Sequence, residues 1–297
     1  MQNWLKQGGG KSMKKVGVIG VGHMGQHHAR VYSQLEGCKL VGVLDADEEL
    51  ACQVAEELGT DDYIKLPQLL AACDSVSITV PPVHQYQVAK QALEAGCDVL
   101  LEKPGCTSVS DLEELISIAK SGNLTLKIGF IEQFNPAIRP ILWQETPLFY
   151  TSFRHRPFVQ RAAETGVVFD LMIHDLDLLL QLDPSKCLEI SVMSRWELGF
   201  LSFAQAGLTF ESGLEATLVA SSMCSKPFQR TSLNYHDYSY ILDLNIMQRG
   251  TIQDSCLDWT QKEVNKLELE IKDFLYPIPS VCNSRTLDLA CRIMKEA

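Results

Sequence analysis

The residues Gly20-Val21-Gly22-His23-Met24-Gly25 join an apolar, β-branched run, KVGVI (15–19), to an amphipathic stretch over 24–35. A GxGxxG pattern alone says little, because glycine turns are common. It becomes specific when a strand precedes it, a helix follows it, and an acidic residue closes the next strand. Asp45 closes KLVGVL (39–44), 25 positions after Gly20. Each residue type has a physical reason. Gly20 permits the tight turn, Gly22 lets a pyrophosphate approach the backbone at a helix N-terminus, and Gly25 lets helix and strand pack closely. Asp45 is placed to accept hydrogen bonds from ribose hydroxyls. Ala46 and Asp47 follow it, so a 2′-phosphate would meet negative charge and no arginine. The pattern predicts a dinucleotide site that favours NAD over NADP.

The first half of the chain continues the alternation. KLVGVL, SVSITV (75–80), DVLL (98–101) and LTLKIGF (124–130) read as buried strands, and 48–58, 83–95 and 109–120 as the helices between them. Strands alternating with helices imply right-handed βαβ units and a parallel sheet covered on both faces. Between Gln133 and Thr146 the pattern breaks, with Pro136 and Pro140 disfavouring a continuous helix. Beyond 147 the strands are longer and alternate: LFYTSFRH, EISVMSRWEL, FLSFAQAGLTF, GLEATLVASS and SYILDLNIM. They predict an antiparallel or mixed sheet, with helices near 170–182, 262–274 and 284–296. The expected fold is α/β: a doubly wound parallel sheet over 13–135, then an α+β domain with a large open sheet over 136–297. Residues 1–12 read as a flexible leader.

Charge excludes some functions. The chain carries 26 Lys+Arg against 37 Asp+Glu, a formal net charge of −11. General nucleic-acid and anionic-membrane binders need a positive footprint, so neither partner is expected. The ten cysteines are scattered among aliphatic residues with no CxxC spacing. That is the usage of reduced core thiols in a cytoplasmic protein, and it suggests no zinc site. No apolar run reaches the roughly 18 residues of a membrane span. His23, His27 and His28 invite a metal reading, but adjacent helical residues do not share a face, so no metal site is expected.

Three further segments carry chemistry. Glu102-Lys103-Pro104 ends the strand DVLL, where ligands of open α/β sheets bind. A partly desolvated Lys103 there could hydrogen-bond a hydroxyl and shuttle its proton; on spacing alone it is equally a surface lysine. Asp170 and His174 lie four apart on a predicted helix and so share a face. A neutral histidine can take a hydroxyl proton near pH 7, although a capping Asp with a packed His would give the same pattern.

VGVIGVGHMGQHHARVY, SITVPPVHQYQVAKQALEAGCDVLLEKP and VVFDLMIHDLDLL together resemble the glucose–fructose oxidoreductase / inositol dehydrogenase / MocA family. The resemblance spans nearly the whole chain after Met13. It implies an NAD(P)-dependent oxidoreductase with an N-terminal Rossmann domain and a C-terminal domain whose sheet joins subunits, as a homodimer or homotetramer. It implies catalytic roles for Lys103, Asp170 and His174, with a cis peptide often preceding Pro104. The cofactor contacts it implies are Gly20, Gly22, His23, Met24, Gly25, Asp45, Thr79, Pro81, His84, Glu102 and Lys103. The substrate contacts are Lys103, Gln133, Asn135, Arg154, Asp170 and His174.

Two positions depart from the family pattern. Pro82 stands where Asn is usual, and Gln133 where Arg is common before Phe-Asn-Pro. Losing that guanidinium removes a bidentate clamp. Arg154, His155 and Arg156 could grip a diphosphate, or could equally be surface charge. GFIEQFNPAIRPIL resembles the members that oxidise C3 of a UDP-N-acetylhexosamine. The alternatives are a dehydrogenase or reductase of inositol, a dihydrodiol, an imine or a bilin, and a non-catalytic NAD sensor.

Overall fold

The computed structural model describes residues 13–160, 165–253, 256–261, 263–276 and 284–297; the expected leader lies outside them. The chain forms two compact units whose segments interleave. One gathers the chain through Glu102, Glu114–Lys127 and a piece starting at Ile271. The other gathers Lys103–Glu113, Ile128–Glu270 and the last helix.

The first unit alternates as its sequence requires. Its helices are α1 (His23–Gln34), α2 (Glu48–Leu58), α3 (Leu66–Ala72), α4 (Pro82–Glu94) and most of α5 (Val109–Ser121). Its strands are β1 (Lys14–Ile19), β2 (Cys38–Leu44), β3 (Asp61–Asp62), β4 (Ser75–Ile78), β5 (Asp98–Glu102) and β6 (Leu126–Gly129), in the order β3-β2-β1-β4-β5-β6. The recorded pairings β1–β2, β1–β4, β2–β3 and β4–β5 are parallel. This is the Rossmann order, and it reverses direction between β1 and β4, the switch point at which doubly wound sheets bind ligands beyond the strand ends. All four residues of β4 are buried, as a strand covered on both faces must be. β3 and α3 carry too few residues to show a period, so the sequence does not announce them.

The second unit holds β7 (Phe149–His155), β8 (Cys187–Glu197), β9 (Phe200–Phe210), β10 (Glu215–Ser221), β11 (Phe228–Asn234), β12 (Tyr238–Asp243), β13 (Gln248–Gln253) and β14 (Cys256–Gln261). They form one sheet, ordered β14-β13-β12-β11-β7-β10-β9-β8. It is mixed: β7 pairs parallel with β10 and antiparallel with β11. β7 shows the period of two directly. Tyr150, Ser152 and Arg154 are buried, while Phe149 and Phe153 on the other face are 53% and 40% exposed. The buried face packs on α6 (Ile173–Leu182) and α8 (Arg285–Glu296) through Leu176, Leu179, Ala290 and Ile293. α7 (Lys266–Leu275) starts later than the pattern suggested. Residues 136–143 make turns rather than a helix, as the two prolines predict.

The helix expected from 170 begins differently. Val168–Met172 is a single π-helical turn that runs into α6 at Ile173. Such turns insert a residue into the helical ladder and are frequent at functional sites. Asp170 sits in the middle of this one.

Candidate active site

In the first unit the glycine turn has the shape its sequence predicts. Gly20 has φ +86, a conformation that L side chains rarely adopt. A Cβ on Gly25 would lie 1.8 Å from the Gly20 carbonyl oxygen, so helix and turn touch there. A Cβ on Gly22 would meet nothing within 4 Å, so this backbone faces open space. α1 starts at His23 with no capping side chain and no acidic residue in its first turn. Its N-terminal N–H groups and dipole therefore suit a phosphate. Asp45 Oδ2 accepts from the Val21 N–H at 2.6 Å and Oδ1 from the Asp47 N–H at 3.0 Å, which ties β2 to the turn. Asp47 caps α2 by accepting from Leu50 N–H at 3.1 Å, so the residues after Asp45 stay acidic and committed.

The Thr79 hydroxyl donates to the Gly20 carbonyl. Pro81 and Pro82 open α4, where a missing N–H costs nothing, so Pro82 is at home as the first helical residue. His84, on the first turn, is exposed, as is His23, while Met24 is half-buried. Glu102 Oε1 lies 3.2 Å from Nε2 of the buried His28, whose Nδ1 is 3.2 Å from Ser77 Oγ. His28 is thus a packing histidine. These residues fit NAD: an open glycine cradle, an uncapped helix start and a strand-end carboxylate.

The second unit brings Lys103, Asp170 and His174 together. Lys103 precedes a cis peptide to Pro104. Lys103 Nζ donates to the Asp170 backbone carbonyl at 2.8 Å and to Asp170 Oδ1 at 2.9 Å. Arg156 Nη2 pairs with the other oxygen, Oδ2. Burial would push the Asp170 carboxyl up, but Lys103 and Arg156 outweigh it and hold the group below its ordinary range. Burial, then Lys103, Arg154, Lys266 and Arg156, push His174 well below its ordinary value. His174 is therefore neutral near pH 7. Its Nδ1 is buried and has no hydrogen-bond partner among the described residues. The π turn places Asp170 so that both its carbonyl and its carboxylate meet one ammonium. The contact, rather than an α-helical spacing of four, unites the group.

Beside this cluster lies a second charged network, which engages three of the residues expected to contact substrate. Arg154 is 2% exposed, and it donates to Asp175 through Nε at 2.7 Å and Nη2 at 3.0 Å. Its Nη1 lies 3.6 Å from Glu132 Oε1, which also accepts from Lys266 Nζ at 2.9 Å. Its fork is thus engaged by internal carboxylates. Asn135 is likewise committed: Nδ2 donates to Glu132 Oε2 at 2.9 Å and the Leu244 carbonyl at 2.8 Å, and Oδ1 accepts from Ala137 N–H at 3.1 Å. Gln133 Nε2 donates to Asp177 Oδ2 at 2.8 Å. Nothing in the sequence pairs Lys266, Glu132 and Asp175 with Arg154; only their ion pairs reveal the network. Arg156 was visible only as one of a basic trio.

Residues 14–130 match the family model described as an oxidoreductase family with an NAD-binding Rossmann fold. UDP-N-acetylglucosamine 3-dehydrogenase of Acidithiobacillus ferrooxidans is 32% identical over 280 residues, covering 89% of this chain and 88% of that protein. The NAD(+)-dependent scyllo-inositol 2-dehydrogenase of Bacillus subtilis is 27% identical over 243 residues, 74% of this chain and 68% of that one. A solved structure of the Acidithiobacillus enzyme superposes with TM-score 0.92 at 30% identity, covering 97% of this chain and 98% of that one. With an NAD-binding turn in one unit and a lysine–aspartate–histidine cluster in the other, the chain belongs to the glucose–fructose oxidoreductase / inositol dehydrogenase / MocA family and is an NAD-dependent oxidoreductase.

Proposed function

We propose that this protein oxidises a secondary hydroxyl of a nucleotide sugar, at C3 of a UDP-N-acetylhexosamine, in the cytoplasm. The observation that carries the reading is His174, held neutral among cations beside an ammonium clamped by Asp170. The similarity of nearly the whole chain to UDP-N-acetylglucosamine 3-dehydrogenase supports the substrate. Gly20, Gly22, Gly25 and Asp45 would hold NAD, with His23, Met24, Thr79, Pro81, His84 and Glu102 around it. When bound, NAD supplies a hydride acceptor.

The chain's own residues handle the proton. Lys103 Nζ donates a hydrogen bond to the oxygen of the reacting hydroxyl, stabilising the negative charge that develops there. His174, neutral, accepts the hydroxyl proton. Asp170 fixes the lysine, and the Arg154–Asp175–Glu132–Lys266 network fixes the helix that carries His174. Residues 13–135 would serve the cofactor, lending Lys103 to the cluster, and 136–297 the substrate and the subunit contact.

The test is NADH formation with UDP-N-acetylglucosamine. Lys103→Ala and His174→Ala should each lower kcat by roughly 10²- to 10⁴-fold. Wild-type turnover in both variants would sink the assignment. Turnover of inositol but of no nucleotide sugar would shift the substrate. Phe149, Phe153 and Phe228 expose apolar area on the open face of the eight-stranded sheet, which supports a homo-oligomer formed there. A monomer by light scattering at micromolar concentration would refute that.

A further inference from the structure

Arg154 is on β7 and Arg156 lies one residue past its end, and they pair with carboxylates of neighbouring segments: Arg154 with Asp175 on α6, Arg156 with Asp170 on the π turn. Their circumstances are opposite. Arg154 is enclosed and its charge is spent on Asp175 and Glu132. The Arg156 side chain keeps 35% of its surface exposed. Through Nη2 it holds Asp170 Oδ2, and its backbone N–H is fixed on the Ser221 carbonyl at 3.0 Å. Among the described residues Nε and Nη1 have no hydrogen-bond partner. A guanidinium has five N–H donors in a rigid fork, so Arg156 retains unspent donors at the edge of the cluster.

The charge count points the same way. The inner network balances: Arg154 and Lys266 face Asp175 and Glu132. The cluster itself does not. Lys103 and Arg156 face the single carboxylate of Asp170, and His174 is neutral. The reaction centre thus carries a surplus positive charge on a chain whose formal net charge is −11. An uncharged polyol gains nothing from such a surplus. A phosphorylated sugar does, because charge-assisted bonds from an arginine fork to phosphate are about twice as strong as neutral ones.

We propose that Arg156 is the specificity-determining residue of this site: it binds the pyrophosphate of a nucleotide-sugar substrate while its Nη2 keeps hold of Asp170. The proposal rests on the nucleotide-sugar reading given above. Arg156 thereby couples recognition to chemistry, since the group that reads the phosphate also fixes the carboxylate that holds Lys103. A residue that merely neutralised Asp170 would affect all substrates alike.

The test uses the NAD-saturated enzyme, so that the glycine turn is filled and does not bind added anions. KM and kcat are measured for UDP-N-acetylglucosamine and for free N-acetylglucosamine in wild type, Arg156→Gln and Arg156→Lys. In parallel, inorganic pyrophosphate is titrated while the melting temperature is followed. The expected result is a KM for the nucleotide sugar raised about ten- to a hundredfold in Arg156→Gln, corresponding to roughly 1.4 to 2.8 kcal/mol. kcat should fall by less than KM rises, Arg156→Lys should recover part of the loss, and the pyrophosphate-induced melting shift should vanish in Arg156→Gln. Equal losses for both sugars, or a pyrophosphate shift unchanged by the substitution, would overturn the proposal. If wild type turns over no nucleotide sugar, the functional reading fails separately. The pyrophosphate titration then decides alone: a shift lost with Arg156 supports the anion site, and no shift in wild type overturns it.

Discussion

Asp177 offers a test that reads the buried chemistry through stability. It lies three residues after His174 on α6 and is 3% exposed. Its carboxylate accepts from Gln133, an uncharged amide, where the family commonly has an arginine. Burial pushes its pKa up from 3.8 to about 7, with the Gln133 hydrogen bond only partly opposing it. An acid with a raised folded-state pKa favours folding in its neutral form. That contribution is full below the ordinary pKa and is lost as pH rises through the folded-state value. Between about pH 5 and pH 7 the loss is two units at about 1.4 kcal/mol each, or roughly 3 kcal/mol. Asp177→Asn keeps the shape and the acceptor but has no proton to lose. Its advantage over wild type should therefore grow by about 3 kcal/mol between pH 5 and pH 8, a relative melting-point gain of roughly 6 to 12 °C. Gln133→Arg should flatten the wild-type curve in the same window by supplying the missing charge. Melting curves for wild type and both variants across this range decide the matter. Parallel stability profiles for wild type and Asp177→Asn would refute the argument.

Other outcomes follow from the geometry. Gly22→Ala should leave the melting point of the cofactor-free protein within about 2 °C, because the new methyl meets nothing, yet abolish the NAD-induced shift, which is worth about 2.7 kcal/mol at a hundredfold excess over Kd. Gly25→Ala should instead destabilise the free protein, since its Cβ would collide with the Gly20 carbonyl; equal melting points for the two variants would contradict this. Arg154→Met should cost about 3 to 5 kcal/mol in urea unfolding by leaving Asp175 and Glu132 buried without their cation, and a cost under about 1 kcal/mol would show that the network is dispensable. Because His174 is neutral well below pH 6.5, kcat/KM should stay level as pH falls through 6.5 and decline only below it; an acid limb centred at or above 6.5 would assign the proton acceptor elsewhere.

The first unit was legible because its signals are local. Strand period, glycine turn and strand-end carboxylate all fall within Lys14–Asp45, and each reflects a contact made nearby in sequence. The short β3 and α3 were missed for want of length. In the second unit the long alternating strands were legible as strands, but their order was not. Pairing depends on partners far along the chain, and nothing in LFYTSFRH says that its parallel neighbour is GLEATLVASS. The site divides the same way. Lys103, Asp170 and His174 could be named from family motifs. Which of two neighbouring arginines, Arg154 on β7 or Arg156 just past its end, is buried depends on Asp175 and Glu132, groups that meet Arg154 only after the sheet and α6 have packed. Asn135 and Gln133 follow the same rule: a polar residue near a site shows its type in sequence, while its partners, Glu132 and Asp177 among them, appear only in the fold.

β7 is the earliest of the eight strands in the chain, yet it lies in the interior of their sheet. Phe149 pairs with Glu215 on one side and Asn234 on the other, 66 and 85 positions further on. During synthesis this strand emerges with both edges bare and with Phe149 and Phe153 on one face, and it stays so until β10 and β11 exist. Loops of that length close slowly, and an unpaired strand invites wrong partners meanwhile. Arg154 and Arg156 ride on this strand and its end, so the cations around His174 take their places only once the later strands arrive. In refolding, catalytic competence should therefore trail the appearance of helical signal, and any factor that shields nascent strands should raise the yield of active enzyme more than the yield of compact chain.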